Sequence, residues 1–100
     1  MDTQDEIVCV ATFVAKDGKV EELKKDMSDL VAPTRKEEGN LRYELNQSID
    51  NDHEFVMVEK FKNKEAFDSH GKQPHMQYFI NVTMKEVVAS ASVKLYKQVL

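Results

Sequence analysis

One hundred residues are enough for one core, since chains divide into domains of roughly 100 to 150 residues, and residues 1–100 are expected to form a single domain. With 41% hydrophobic and 32% charged residues and a mean hydropathy of −0.55, the chain is too apolar for disorder and too polar for a membrane protein. Fourteen Lys and Arg against 18 Asp and Glu leave a net charge of −4 with no basic run longer than two, which removes the electrostatic basis for nucleic-acid binding.

The stretch Met1 to Glu6 is acidic and lacks the positive and apolar regions of a secretory signal, so a cytoplasmic location is expected. Cys9, the single cysteine, sits in an apolar run and is read as a small core residue. Glu6 to Ala15 is β-branched and apolar on both parities, the pattern of a strand covered on both faces. After the Asp17-Gly18 turn, Val20, Leu23, Met27, Leu30 and Val31 repeat at helical spacing, and Pro33 is expected to kink or end that helix. A residual turn through Glu38 closes at Gly39.

From Leu41 the period falls to two, with Leu41, Tyr43, Leu45 and Ile49 sharing one parity. Asp50-Asn51-Asp52 turns the chain into a returning strand, His53 to Lys62, in which Phe55, Met57, Glu59 and Phe61 share a face. A short helix over Lys64 to His70 is followed by a break at Gly71-Lys72-Gln73. A longer helix then opens at Pro74, with the stripe Met76, Phe79, Ile80, Thr83 and Val87. Ala91 to Leu100 closes the chain as a fourth strand.

The order βαββαβ predicts an α+β, ferredoxin-like fold: a four-stranded antiparallel sheet with the helices on one face. The opposite face then exposes either Val8 and Val10 or their opposite-parity neighbours, a patch that calls for a partner, and a homodimer packed sheet to sheet is expected.

Four side chains stand out against this frame. Glu59 interrupts an apolar strand face, either as a buried carboxyl with a raised pKa or as a strand-end residue reaching solvent. His70 shares the stripe of Ala66 and Phe67, and His75 aligns with Phe79. Each is read either as a proton-transfer group or as a satisfied core histidine. Tyr43 points inward with a hydroxyl that needs a partner. His53, in the hairpin turn, is expected to be exposed, and the run Arg35-Lys36-Glu37-Glu38 is read as a solvated helix face. The five-residue spacing of His70 and His75 crosses a helix break and no third ligand presents itself, so no metal site is expected. No Gly-rich phosphate loop occurs, and no cofactor is expected.

The ordered set Glu38-Gly39-x3-Tyr43-x-Leu45, then Glu59-x-Phe61-x4-Ala66-x3-His70-x4-His75-x3-Phe79, resembles the antibiotic biosynthesis monooxygenase domain family, over Gly18 to Val87. The resemblance implies a dimeric α/β barrel with a cavity between the helices and sheet of each subunit. It also implies cofactor-independent oxidation of a quinol or phenolic substrate by O2 to a quinone. Phe55, Met57, Phe61, Phe67 and Phe79 would then line the cavity, with His70, His75, Tyr43 and Glu59 handling protons. Many members carry Trp where this chain has Phe61, and the haem-degrading relatives use a first-strand Asn where it has Ala11, which sets haem chemistry aside. The stretch Glu37 to Arg42 is also similar to a branch that isomerises a phosphorylated autoinducer-2-type dione, but Arg42 has the outward parity. A third reading is a non-catalytic dimer that holds small apolar molecules.

Overall fold

The structure is a computed structural model and describes residues 5–100; Met1 to Gln4, part of the acidic N-terminal stretch, lie outside the described residues. Its elements are β1 (Ile7–Ala15), α1 (Val20–Ser28), α2 (Val31–Arg35), β2 (Asn40–Gln47) and β3 (Glu54–Phe61), then α3 (Lys64–Lys72), α4 (Pro74–Tyr78), a π-helical turn (Phe79–Thr83), α5 (Met84–Val87) and β4 (Val88–Tyr96). The four strands form one antiparallel sheet in the order β2-β3-β1-β4, so the fold is the α+β, ferredoxin-like arrangement.

Because side chains alternate across a strand, β1 buries Cys9, Ala11, Phe13 and Ala15 under the helices, and β3 buries Phe55, Met57, Glu59 and Phe61. The helices answer with Leu23, Met27, Leu30, Phe79 and Val87. Each large apolar side chain buried this way stabilises the fold by about 1.5 to 3 kcal/mol relative to exposure. The opposite parity, Val8, Val10, Val14, Val56 and Val58, lies on the helix-free face and is only half-buried.

Several boundaries differ from expectation for local reasons. Pro33 neither kinks nor ends the first helix: α1 stops at Ser28, and Pro33 sits in the first turn of a separate helix, where its missing N–H has no bond to make. Helix α3 continues through Gly71 and Lys72 and ends only at Gln73 (φ −66°, ψ 147°), whose extended backbone is what a residue before proline adopts. Leu41 is 50% exposed because the β2–β3 register slips between Asn40 and Arg42, and Ile49 is fully exposed beyond the strand.

The fourth strand begins three residues earlier and ends four earlier than expected. Tyr96 already faces Val8, next to the first residue of β1, so the later residues have no ladder to join. Ile80 leaves the buried stripe and is 40% exposed. The wide π turn keeps Phe79, Thr83 and Val87 aligned at intervals of four and swings Ile80 outward. Thr83 Oγ1 donates to Asp26 Oδ2 at 2.8 Å and ties this turn to α1.

Candidate active site

Between the sheet and the helices lies a cavity of about 270 Å³ whose walls are almost entirely apolar. Met57 on β3, Phe67 on α3, and Met76 and Phe79 in the last helical run supply much of the wall. Ile80 and Val93, both partly exposed, stand where the cavity meets solvent. Of the five residues expected to line it, Met57, Phe67 and Phe79 do. Phe55 and Phe61 do not: both are buried behind the wall, and Phe61 backs the His70 ring at a centroid distance of 4.9 Å.

Glu59, Tyr43, Cys9 and His70 form the polar end. The sheet register puts Cys9 and Tyr43 directly beside Glu59 on its two neighbouring strands. Tyr43 is fixed from behind, since Arg35 Nε and Nη2 donate to its carbonyl oxygen at 3.1 and 2.9 Å. Its ring meets His70 edge-on at 5.5 Å. The buried Thr34 Oγ1 makes no hydrogen bond.

His70 is delivered by α3, which Asn63 starts by accepting a hydrogen bond from the Ala66 N–H at 2.8 Å. Its Nδ1 lies 3.1 and 3.0 Å from the two carboxylate oxygens of Glu37, and His75 Nε2 lies 2.8 Å from Glu37 Oε2. A carboxylate only accepts, so both ring nitrogens carry the hydrogen. That leaves the lone pair of His70 on Nε2, 3.9 Å from Glu59 Oε1 at the cavity end.

Glu37 thus sits at the centre of the site, its side chain only 12% exposed, and the reading of its charge run as a solvated face is corrected. The signal was in the sequence: Met27, Leu30, Thr34 and Glu37 lie on one inward stripe at spacings of three and four. Glu37 is also the third ligand-type group that the two histidines lacked. His75 borders the outer groove beside Glu37 rather than the main cavity. His53 is half-buried between Asp17 and Asp52 and takes no part in the site.

Burial dominates the electrostatics. It pushes the Glu59 carboxyl up to about 8, with hydrogen bonding from the Cys9 thiol opposing and the Glu37 charge adding. It pushes the Cys9 thiol up to about 12, helped by Glu59, and raises Tyr43 in the same sense. It lowers His70, against the hydrogen bond and charge of Glu37. At neutral pH the cavity end therefore holds a carboxylic acid that can donate and an imidazole that can accept, side by side.

Among the described residues no helix is long and apolar enough to cross a membrane. Residues 6–82 match the sequence profile of the antibiotic biosynthesis monooxygenase family. The chain is 36% identical over 74 residues to the Bacillus subtilis (strain 168) protein YcnE, named provisionally as a monooxygenase, covering 74% of this chain and 78% of that one. The crystal structure of SO0527 from Shewanella oneidensis superposes with a TM-score of 0.93 at 42% identity, covering 95% of this chain and 92% of the other. PA3566 from Pseudomonas aeruginosa gives the same TM-score at 25% identity over the full length of both chains. A profile match across more than three quarters of the sequence, on a fold shared with these structures, places the chain in the antibiotic biosynthesis monooxygenase family.

Proposed function

We propose that this protein is a cofactor-independent monooxygenase that oxidises a quinol or phenolic aromatic substrate to a quinone with O2. The observation that carries the reading is the pairing of His70 Nε2 with the Glu59 carboxyl at one end of an otherwise apolar cavity. Family membership supports the monooxygenase class.

A phenol docked with its ring against Met57, Phe67 and Phe79 presents its hydroxyl to His70, which takes the proton. The resulting anion is electron-rich at its ortho and para carbons and attacks O2 at one that bears hydrogen, forming a C–O bond. Glu59 supplies a proton to the peroxide. Loss of the remaining ring hydrogen with cleavage of the O–O bond leaves a second carbonyl, and water departs. One oxygen atom enters the product and the other becomes water, so a phenol with a free ortho or para C–H plus O2 balances as a quinone plus H2O, and a quinol with a free ortho C–H balances as a hydroxyquinone plus H2O. Glu37 keeps the hydrogen on His70 Nδ1 and so keeps Nε2 available. Tyr43, with its raised pKa, stays neutral and offers a donor to the substrate oxygen. His75 shares Glu37 and acts on the solvent side of the network.

The dione-isomerase alternative wants a cation for the phosphate. Among the described residues no Arg or Lys lines the cavity, and Arg42 is exposed and paired with Glu44 at 2.8 Å. The half-buried valines of the helix-free sheet face support assembly as a sheet-to-sheet homodimer.

The test is incubation with a panel of naphthohydroquinones and one- and two-ring phenols under 18O2. One labelled oxygen in the quinone and one in water, with rates that collapse in His70→Ala, is the expected result. Absence of O2 uptake above that of heat-inactivated protein across the panel overturns the reading in favour of a non-catalytic binding dimer.

A further inference from the structure

Glu37, His70 and His75 reach one point from three separate elements: the turn after α2, the last turn of α3 and the first turn of α4. Their ligand-type atoms all lie within 4.8 Å of one another, and among the described residues no other trio of His, Cys, Asp or Glu does so. We propose that these three side chains form a binding site for a divalent transition-metal ion of the zinc type, and that occupancy of this site switches off proton acceptance by His70.

Two imidazole nitrogens and one carboxylate make a donor set suited to Zn²⁺, Co²⁺ or Fe²⁺, with further positions left for water. Bonds of about 2.0 to 2.2 Å place neighbouring ligand atoms roughly 3 to 3.5 Å apart in tetrahedral or octahedral geometry. Glu37 Oε2 stands 3.0 Å from His70 Nδ1 and 2.8 Å from His75 Nε2, so these two edges open by only a fraction of an ångström to admit an ion. The nitrogens facing Glu37 are those that would lose a hydrogen to the metal. The opposite nitrogen of His70 already faces the Glu59 carboxyl, an outer partner of the sort that holds metal-bound imidazoles in place.

Access comes from the side away from the substrate cavity. Glu37 and His75 line a surface groove together with Glu38 and Gln73, whereas His70 lines the cavity and meets Glu37 through Nδ1. Lys62 also borders the groove but is engaged with Glu38 at 3.3 Å. An ion can therefore arrive from solvent with the cavity filled or empty.

The consequence follows from the tautomer. With Nδ1 of His70 on a metal, its hydrogen resides on Nε2, the atom aimed at the cavity end, and a proton acceptor becomes a fixed donor. This second half rests on the acid–base reading of the preceding subsection, and the ion then acts as an inhibitor and not as a cofactor.

Untagged protein titrated with Co²⁺ and, by calorimetry, with Zn²⁺ tests the site. The expected result is one ion per chain with visible d–d bands for Co²⁺. Affinity should fall by more than about 100-fold in Glu37→Gln and in His75→Ala, beyond what loss of an outer partner costs. Circular dichroism checks that both variants stay folded. His53→Ala removes the other part-exposed imidazole, held between Asp17 and Asp52, and should bind normally. No binding by the folded parent, binding that survives both Glu37→Gln and His75→Ala, or binding lost in His53→Ala overturns the site. In the turnover assay Zn²⁺ should inhibit in step with occupancy and chelation should restore the rate; full occupancy with undiminished turnover overturns the switch while leaving the site. If no oxygenation is found at all, the switch is overturned with it, and the titrations still decide the site.

Discussion

Gly39 lies so close to Ala66 that a β-carbon at position 39 would collide with the Ala66 β-carbon. This contact seats α3 against the start of β2, and it brings Glu37, two residues before the glycine, beside His70, one helical turn after the alanine. Gly39→Ala should therefore overpack the junction and destabilise the fold by about 1 to 3 kcal/mol, measured by chemical denaturation. Because Glu37 shares the displaced turn, turnover per folded molecule should fall as well. Unchanged stability in Gly39→Ala contradicts this packing.

Removing the His70 ring tests the base. His70→Ala should lower kcat by about 10² to 10⁴, the usual weight of acid–base catalysis, and cost stability by about 1 to 3 kcal/mol, because Glu37 loses a buried partner. A structural histidine would show the second effect alone. Turnover normalised to folded protein, compared with the melting curve of the same variant, separates the two roles.

Glu37 acts through His70, and its variant should behave as a positioning residue does. Glu37→Gln should reduce kcat with little change in KM, since it touches no part of the cavity wall. The hydrogen bond and charge of Glu37 oppose the lowering of His70 by burial, so their loss should move the acidic limb of the kcat/KM profile to lower pH. A limb that stays in place argues that His70 is not the titrating group.

Glu59 makes stability depend on pH in an unusual sense for a carboxyl. Its folded pKa of about 8 lies above the ordinary glutamate value of 4.5, so the native state holds the proton more tightly than the unfolded chain. Its contribution favours folding below about pH 4.5, diminishes as the pH rises, and is lost above about 8. His70, lowered by burial, has the reverse dependence on the acid side, so the informative quantity is the difference between parent and Glu59→Gln. Relative to the variant, the parent should lose stability steadily from pH 5 to pH 9, on the order of a few kcal/mol. A pH-independent difference would mean that Glu59 titrates as an ordinary exposed carboxylate.

The helix-free sheet face predicts the assembly. Sedimentation should report about twice the 11.5 kDa chain mass at micromolar concentration, and Val10→Glu combined with Val58→Glu, which face each other across β1 and β3, should yield a folded monomer. A parent protein that sediments as a monomer at that concentration removes the sheet-to-sheet dimer.

Strand periodicity made the two faces of β1 and β3 legible, because a period of two leaves each side chain only one choice of side. With both parities of β1 apolar, only the packing of the helices decided that Cys9, Ala11 and Phe13 lie beneath them. The inward positions of Tyr43, Glu59 and His70 follow from the same local periodicities. Phase errors entered wherever the backbone departed from an ideal repeat. The bulge at Leu41 and the π turn at Phe79–Thr83 each change the local phase, and nothing in residue type marks them. Glu37 shows the larger limit. Its place on the stripe of Met27, Leu30 and Thr34 was readable, but its neighbours along the chain are charged and its partners lie 33 and 38 residues away. Periodicity decides which side of an element faces the core. Only the packing of α3 and α4 over the start of β2, set by the close approach of Gly39 and Ala66, decides that this carboxylate meets two imidazoles there and not water.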